Sequence, residues 1–223
     1  RYCPRPAKLK IDFPKPNPFI PSEAGLRLKN LRPAQKITKR TFESRMEPIP
    51  PPKVIRDDGP DGRWVVHYKQ DDTFDQPKAY IIFQVLTKEV FATPMRAALA
   101  NLYEICISDR LGEYAYDATL AGLTYDVRVM PRGVRLTFGG YNDKLEAFAS
   151  YITRKLSNGL NDILPKNEVE FDRYKDQITR GLAAFDVKQP YAHASYYAQL
   201  TLQPEHFQYS NDELREATRK ATP

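Results

Sequence analysis

Cysteine is scarce: Cys3 and Cys106 are the only two in 223 residues. A small secreted domain held by cross-links needs several pairs, so a disulfide framework is not expected and a reducing compartment, the cytoplasm, is. Cys106 sits on the apolar side of a helical pattern and reads as a small core residue. Histidine is scarce too. His67, His193 and His206 are the only three, and no two are close enough in sequence to form the paired imidazoles of a helical zinc motif. No apolar run reaches the roughly 18 residues of a membrane span, and no signal-peptide pattern is present. The chain opens on Arg1 without an initiator Met, so both ends are expected to be cut.

Charge and proline are plentiful but unevenly placed. Residues 1–56 hold 14 Lys and Arg against 4 Asp and Glu, net +10, which leaves residues 57–223 at net −4. A nucleic-acid face needs clustered cations with interleaved aromatics on the folded surface, so the overall +6 does not make one. Residues 1–62 also carry 12 of the 19 prolines, including PKPNP and PIPPP. Proline removes a backbone donor and holds the chain extended, so 1–62 reads as a basic, Pro-rich strap or linker and 63–223 as the folded domain. The same spacing also suits an aromatic groove on another protein.

The folded part is organised around Thr93–Lys144. Thr93 caps a helix whose first turn accommodates Pro94, and Ala98, Leu99, Leu102, Ile105 and Cys106 predict its apolar face. The helix is expected to run to Gly122, which suits a left-handed cap. Tyr125, Val127 and Val129, then Val134, Leu136 and Phe138, alternate with polar residues across Pro131-Arg132-Gly133, which predicts a hairpin with one buried face. Gly139-Gly140 reads as a strand-to-helix turn, since it lacks the lysine and hydroxyl of a phosphate loop.

Upstream, RWVVHYK (Arg63–Lys69) and KAYIIFQVL (Lys78–Leu86) read as strands on either side of the polar turn QDDTFDQP. The second has apolar residues on both sides and is expected to be central. Downstream, Asn142 or Asp143 with Glu146, Asn167 with Glu170, and Ser210 with Glu213 predict three helix starts of the capping-box type. Pro190 predicts another helix through His193, Tyr196, Tyr197 and Leu200. The fold class is α+β: an antiparallel or mixed sheet with helices packed on one main face.

The words KQDDTFDQPKAYIIF, LGEYAYDATLAGLTYDV and GGYNDKL resemble the third of four homologous domains in the insulinase-type zinc metallopeptidases, the group of insulysin, pitrilysin and nardilysin. NPFIP (Asn17–Pro21) is similar to that family's lead-in to the domain, while Ser22–Gly62 departs from it. The resemblance implies the mitochondrial-processing-peptidase-like metallohydrolase fold, truncated here at its C-terminal end. It also implies that the site is lost. Glu104-Ile105-Cys106-Ile107-Ser108 falls where the first domain of such proteins carries His-x-x-Glu-His, and none of the three functional positions is kept. No catalytic or metal residue is therefore assigned, and zinc is expected in the parent protein, not in these residues.

The implied role is that of a non-catalytic middle domain. In that family two bowl-shaped halves enclose a peptide, and the third domain helps to form the second bowl. The implied partners are the remaining domains and peptide substrates, with no nucleic acid and no membrane, and a homodimer by analogy. The alternative is a scaffold or binding domain of a catalytically dead homologue. An independent adaptor using the proline strap is a third reading. His193 belongs to QPYAHASYY, which resembles the family's own QP-x-x-HA helix. His193, Tyr196 and Tyr197 can share a face there, either as core packing or as a wall of the substrate chamber. His67 reads as a structural strand residue and His206 as a loop residue. Asp57-Asp58 and Asp71-Asp72 read as solvated turns, and Ser22 and Ser44 have no triad partner.

Overall fold

Thr93 opens the longest helix among the described residues, as its sequence predicts. The Thr93 Oγ1 accepts the Arg96 N–H at 3.2 Å, Pro94 occupies the first turn, and α1 spans Pro94–Leu120. The computed structural model describes residues 15–22, 51–60, 63–70, 76–158, 163–202 and 208–223. Two units are distinguished, one of Arg1–Pro21 with Ala79–Pro223, the other of Ser22–Lys78.

In the first unit, α1 ends as a full left-handed cap. Gly122 has φ +80, its N–H donates to the Thr119 carbonyl at 3.0 Å, and the Leu123 N–H reaches back to the Ala118 carbonyl at 2.9 Å. Two carbonyls that the helix end would leave unpaired are thus satisfied. The reversal drops the chain into β4 (Thr124–Met130) and β5 (Gly133–Tyr141), an antiparallel hairpin in register from Thr124↔Gly139 to Met130↔Gly133. Strand β3 (Lys78–Leu86) lies on the other side of β5, giving the order β3-β5-β4. The Thr87 N–H donates to the Arg132 carbonyl at 3.0 Å, while Tyr80 lies against Gly139, so β3 runs antiparallel to β5. Gly133 is where the two strands crowd most. It has φ +136, and a Cβ there would overlap the Val85 carbonyl oxygen.

Helix α2 (Asn142–Asn158) follows β5 directly, and α3 (Glu168–Ala183), a 3-10 turn (Ala184–Val187), α4 (Pro190–Leu202) and α5 (Asn211–Lys220) come after it. Asn167 caps α3 through its Oδ1, which accepts the Glu170 N–H at 2.9 Å. Ser210 and Glu213 form the reciprocal capping box of α5. The core is where α1 meets these elements. Leu102, Cys106, Ile107, Leu111 and Ala115 of α1 pack with Phe138 of β5, Leu145, Phe148 and Ile152 of α2, and Phe171, Tyr174 and Ile178 of α3. Phe148 is fully buried and meets Phe138 edge-on at 6.2 Å and Tyr125 at 6.2 Å. This is the expected α+β architecture.

Four details differ from expectation. Leu99 is 41% exposed, because the buried stripe of α1 runs through Ala97 and Ala98 instead. Gly139 and Gly140 lie within β5 rather than after it, and the absent side chain at Gly139 makes room for the Tyr80 ring. Strand β3 is not central among the described residues: only β5 pairs with it, and Tyr80, Ile82 and Leu86 are exposed. In the second unit, β2 (Val65–Tyr68) pairs antiparallel with β1 (Lys53–Asp57), in register Lys53↔Tyr68 and Asp57↔Val65 with an irregularity between Val54 and Arg56. Strand β1 falls inside the stretch read as a strap. None of its residues is buried, and its far end is held by Arg56, which donates two 2.9 Å hydrogen bonds to the Asp58 carboxylate.

Candidate functional site

On α1, three of the five residues Glu104–Ser108, namely Glu104, Cys106 and Ile107, are committed to structure. The Glu104 Oε2 accepts the Val129 N–H at 2.7 Å, so this carboxylate satisfies a strand donor that the hairpin leaves over. Cys106 and Ile107 are 2% and 3% exposed in the core. Burial pushes the Cys106 thiol up to about 11, with the nearby Glu170 charge adding to it, which leaves it protonated and unreactive near neutral pH. One turn further on, Asp109 and Arg110 reach α3. Arg110 donates to Glu170 at 2.5 Å, and Asp109 accepts Tyr174 O–H at 2.6 Å and Arg173 at 2.9 Å.

This network shapes the titration of its members. The hydrogen bond from Tyr174, then those from Arg173, hold the Asp109 carboxyl below its usual range. The Lys166 backbone N–H, which donates to Glu170 at 2.8 Å, is the main reason that Glu170 is lowered, with Arg110 and Arg173 assisting. Burial, then Asp109, pushes Tyr174 up to about 12. A shallow cleft of about 630 Å³ opens beside it, lined by Arg110, Lys166, Asn167, Val169, Glu170 and Arg173. Sequence reasoning missed this cluster. Its only signal was the adjacent pair Asp109-Arg110 and the three- and four-residue spacing of Glu170, Arg173 and Tyr174, which says nothing about a meeting across 60 residues.

Helix α4 brings the candidate chamber residues together. The Phe185 ring, in the 3-10 turn, lies 4.4 Å from His193 and 4.5 Å from Tyr196, centroid to centroid. Tyr197 meets Tyr196 edge-on at 5.2 Å. The Tyr196 hydroxyl accepts the Asn211 N–H at 2.7 Å, which ties α4 to the start of α5. His193 and Tyr196 are half-buried, whereas Tyr197 is 59% and Tyr191 72% exposed. Pro190–Leu202 contains no Asp, Glu, Lys or Arg, and none of its residues is buried.

The other candidates are dispersed. His67 is exposed in the β1–β2 hairpin, opposite Val54. Asp57 caps the turn by accepting the Gly59 N–H at 2.9 Å. His206, Asp71, Asp72 and Ser44 lie outside the described residues. Among the described residues, no group of three His, Cys, Asp or Glu side chains could hold a metal ion.

A family model described as the middle or third domain of M16 peptidases matches residues 4–217. The chain belongs to that family. It is similar to human insulin-degrading enzyme, 33% identical over 208 residues, which is 93% of this chain and 18% of that protein. A Schizosaccharomyces pombe protein that is named for a zinc protease is 30% identical over 166 residues, 74% of this chain and 16% of that protein. The crystal structure of pitrilysin superposes with a TM-score of 0.70 at 16% identity, over 95% of this chain and 20% of that one, and supports the fold. The chain thus spans about a fifth of the length of these M16 relatives. Zinc, which the name of the Schizosaccharomyces pombe relative implies, does not fit α1 of this M16 middle domain. Of the five residues at the expected position, one is a carboxylate spent on a backbone N–H and two are core.

Proposed function

We propose that this chain serves as a non-catalytic middle domain of a zinc metalloendopeptidase of the insulin-degrading type, forming part of the second half of a chamber that encloses peptides. The observation that carries this reading is that, inside an M16 middle domain, Glu104 is spent on a strand N–H and Cys106 and Ile107 are packed in the core. Zinc and its general base would then be supplied by another domain of the longer polypeptide. This domain would contribute walls. A wall that confines an unfolded peptide near a distant metal lowers the entropic part of the barrier by positioning, and excludes folded substrates by size. Relative movement of the halves would gate access.

Helix α4 is the candidate wall. A helix without charge, carrying exposed Tyr191 and Tyr197 beside a braced cluster of Phe185, His193 and Tyr196, offers rigid amphipathic contacts to peptide backbone and apolar side chains. The test is zinc content of the purified 223-residue chain, together with cleavage of a quenched fluorescent peptide with and without a chelator. Zinc-free, inactive protein is expected. Stoichiometric zinc with chelator-sensitive cleavage overturns the reading, and a longer polypeptide that cleaves nothing while binding peptide would make the domain part of a scaffold.

A further inference from the structure

The first described segment, residues 15–22, lies in the proline-rich stretch that reads as a tether, yet it carries a formed and seated turn. The Asn17 Oδ1 accepts the Phe19 N–H at 2.9 Å, and the Ile20 N–H donates to the Asn17 carbonyl at 3.5 Å. Pro18 occupies the second position, where its fixed φ favours such a turn. The result is a small preorganised knob that presents one aromatic ring.

Both reaching groups of the knob find partners far away in sequence. The Asn17 Nδ2 donates to the Asp117 carbonyl in the last turns of α1 at 2.6 Å, across 100 residues. The Phe19 ring meets Phe148 edge-on at 5.5 Å and Tyr151 at 6.3 Å, both on α2. Tyr151 is steadied in turn by Lys155, whose Nζ lies 6.0 Å from its ring centre and 4.4 Å from that of Tyr114 on α1. Edge-to-face aromatic contacts and a hydrogen bond to a helix-end carbonyl are specific in direction as well as in volume.

We propose that the C-terminal end of α1 and the adjoining side of α2 form a docking site for an Asn-Pro-aromatic turn, occupied in cis by Asn17–Ile20, which holds these four residues against the two helices. The site takes asparagine for a stated reason. The side chain must accept from Phe19 and donate to Asp117 at once, and a carboxamide does so with two separate atoms, Oδ1 and Nδ2. An aspartate keeps the turn but presents a carboxylate to a carbonyl oxygen at the negative end of a helix, so it loses the docking.

Amide hydrogen exchange across residues 15–22 of the full 223-residue chain tests this. Asn17→Asp and Tyr151→Ala are each expected to accelerate exchange in that segment by roughly three- to tenfold, as loss of one ordinary contact would, with α1 and α3 amides unchanged. Tyr151→Phe is expected to keep the protection. If Asn17→Asp exchanges like wild type, the turn is self-contained and the docking site is refuted. This holds even if Tyr151→Ala disturbs α2, because Asn17→Asp leaves the socket intact.

Discussion

Helices α1 and α4 are both poor in charge along the faces that matter, yet they end up in opposite surroundings. Helix α1 buries eight residues, Ala97, Ala98, Leu102, Cys106, Ile107, Leu111, Ala115 and Ala118, and packs on α2, α3, α5 and β4. Helix α4 buries none and leans on Phe185 through two rings. Apolar composition alone does not decide burial. Helix α1 has its apolar residues on one stripe and a charged fork, Asp109 and Arg110, that fixes it to α3, whereas α4 distributes alanine, tyrosine and leucine around its circumference. A helix of the second kind leaves apolar surface open, with the tyrosine enrichment and charge depletion found at the centres of interfaces.

The comparison is broken most severely in the core. Phe148→Ala removes the ring on which Phe19, Tyr125 and Phe138 converge, and a loss of about 3–5 kcal/mol is expected from transfer and cavity terms together. Urea denaturation reads this directly. A loss below 1 kcal/mol would mean that the α1–α2–sheet interface is not the stabilising centre and that the contrast with α4 has been overdrawn.

The charged fork sharpens the same contrast through pH. Asp109 and Glu170 are lowered in the folded chain, so their contribution is present above the ordinary carboxylate range and is lost as pH falls through the folded values. Tyr174 is raised from 10.0 to about 12, so its contribution is complete below pH 10 and is lost as pH rises towards 12. Unfolding midpoints across pH should therefore decline at both ends. Tyr174→Phe should flatten the alkaline limb and, by removing the largest cause of the Asp109 shift, shrink the acid one. An unchanged alkaline limb in that variant would place the titrating group elsewhere.

A smaller effect comes from the cap of α5. Ser210 Oγ accepts the Glu213 N–H at 3.2 Å, and the Glu213 carboxylate accepts the Ser210 N–H at 2.7 Å. Ser210→Ala should cost about 1 kcal/mol, read as a shift in the urea midpoint. This device was legible because it is local: three residues and one spacing define it, as they do for Thr93 and Asn167. The β4–β5 register was legible for the same reason, since alternation and a short turn fix it. What was not legible is non-local. Strand β3 has apolar residues on both faces, so alternation gives it no preferred side, and only pairing reveals that it stands at an edge of the described sheet. Strand β1 was hidden by its proline-rich neighbourhood, and no periodicity brings Asp109 to Tyr174. His193, Tyr196 and Tyr197 were correctly placed on one helix, but their partner Phe185 lies beyond a 3-10 turn whose course the sequence does not announce.

The smallest expected change in stability is the most informative about function. Tyr197→Ala removes a ring that is 59% exposed and touches chiefly Tyr196, so the unfolding free energy of the 223-residue chain should move by less than about 0.5 kcal/mol. If the chain works within a longer peptide-cleaving M16 polypeptide as proposed, the same substitution there should raise KM while leaving kcat nearly unchanged, because a wall that holds substrate equally in ground and transition states acts on binding alone. Tyr196→Phe should behave differently. It keeps the ring on Phe185 but gives up the bond from Asn211, so it should loosen the junction of α4 with α5 and show in stability before it shows in KM. A Tyr197→Ala variant with unchanged KM would assign the exposed face of α4 to contact with another domain, and the uncharged helix would then be an interface rather than a chamber wall.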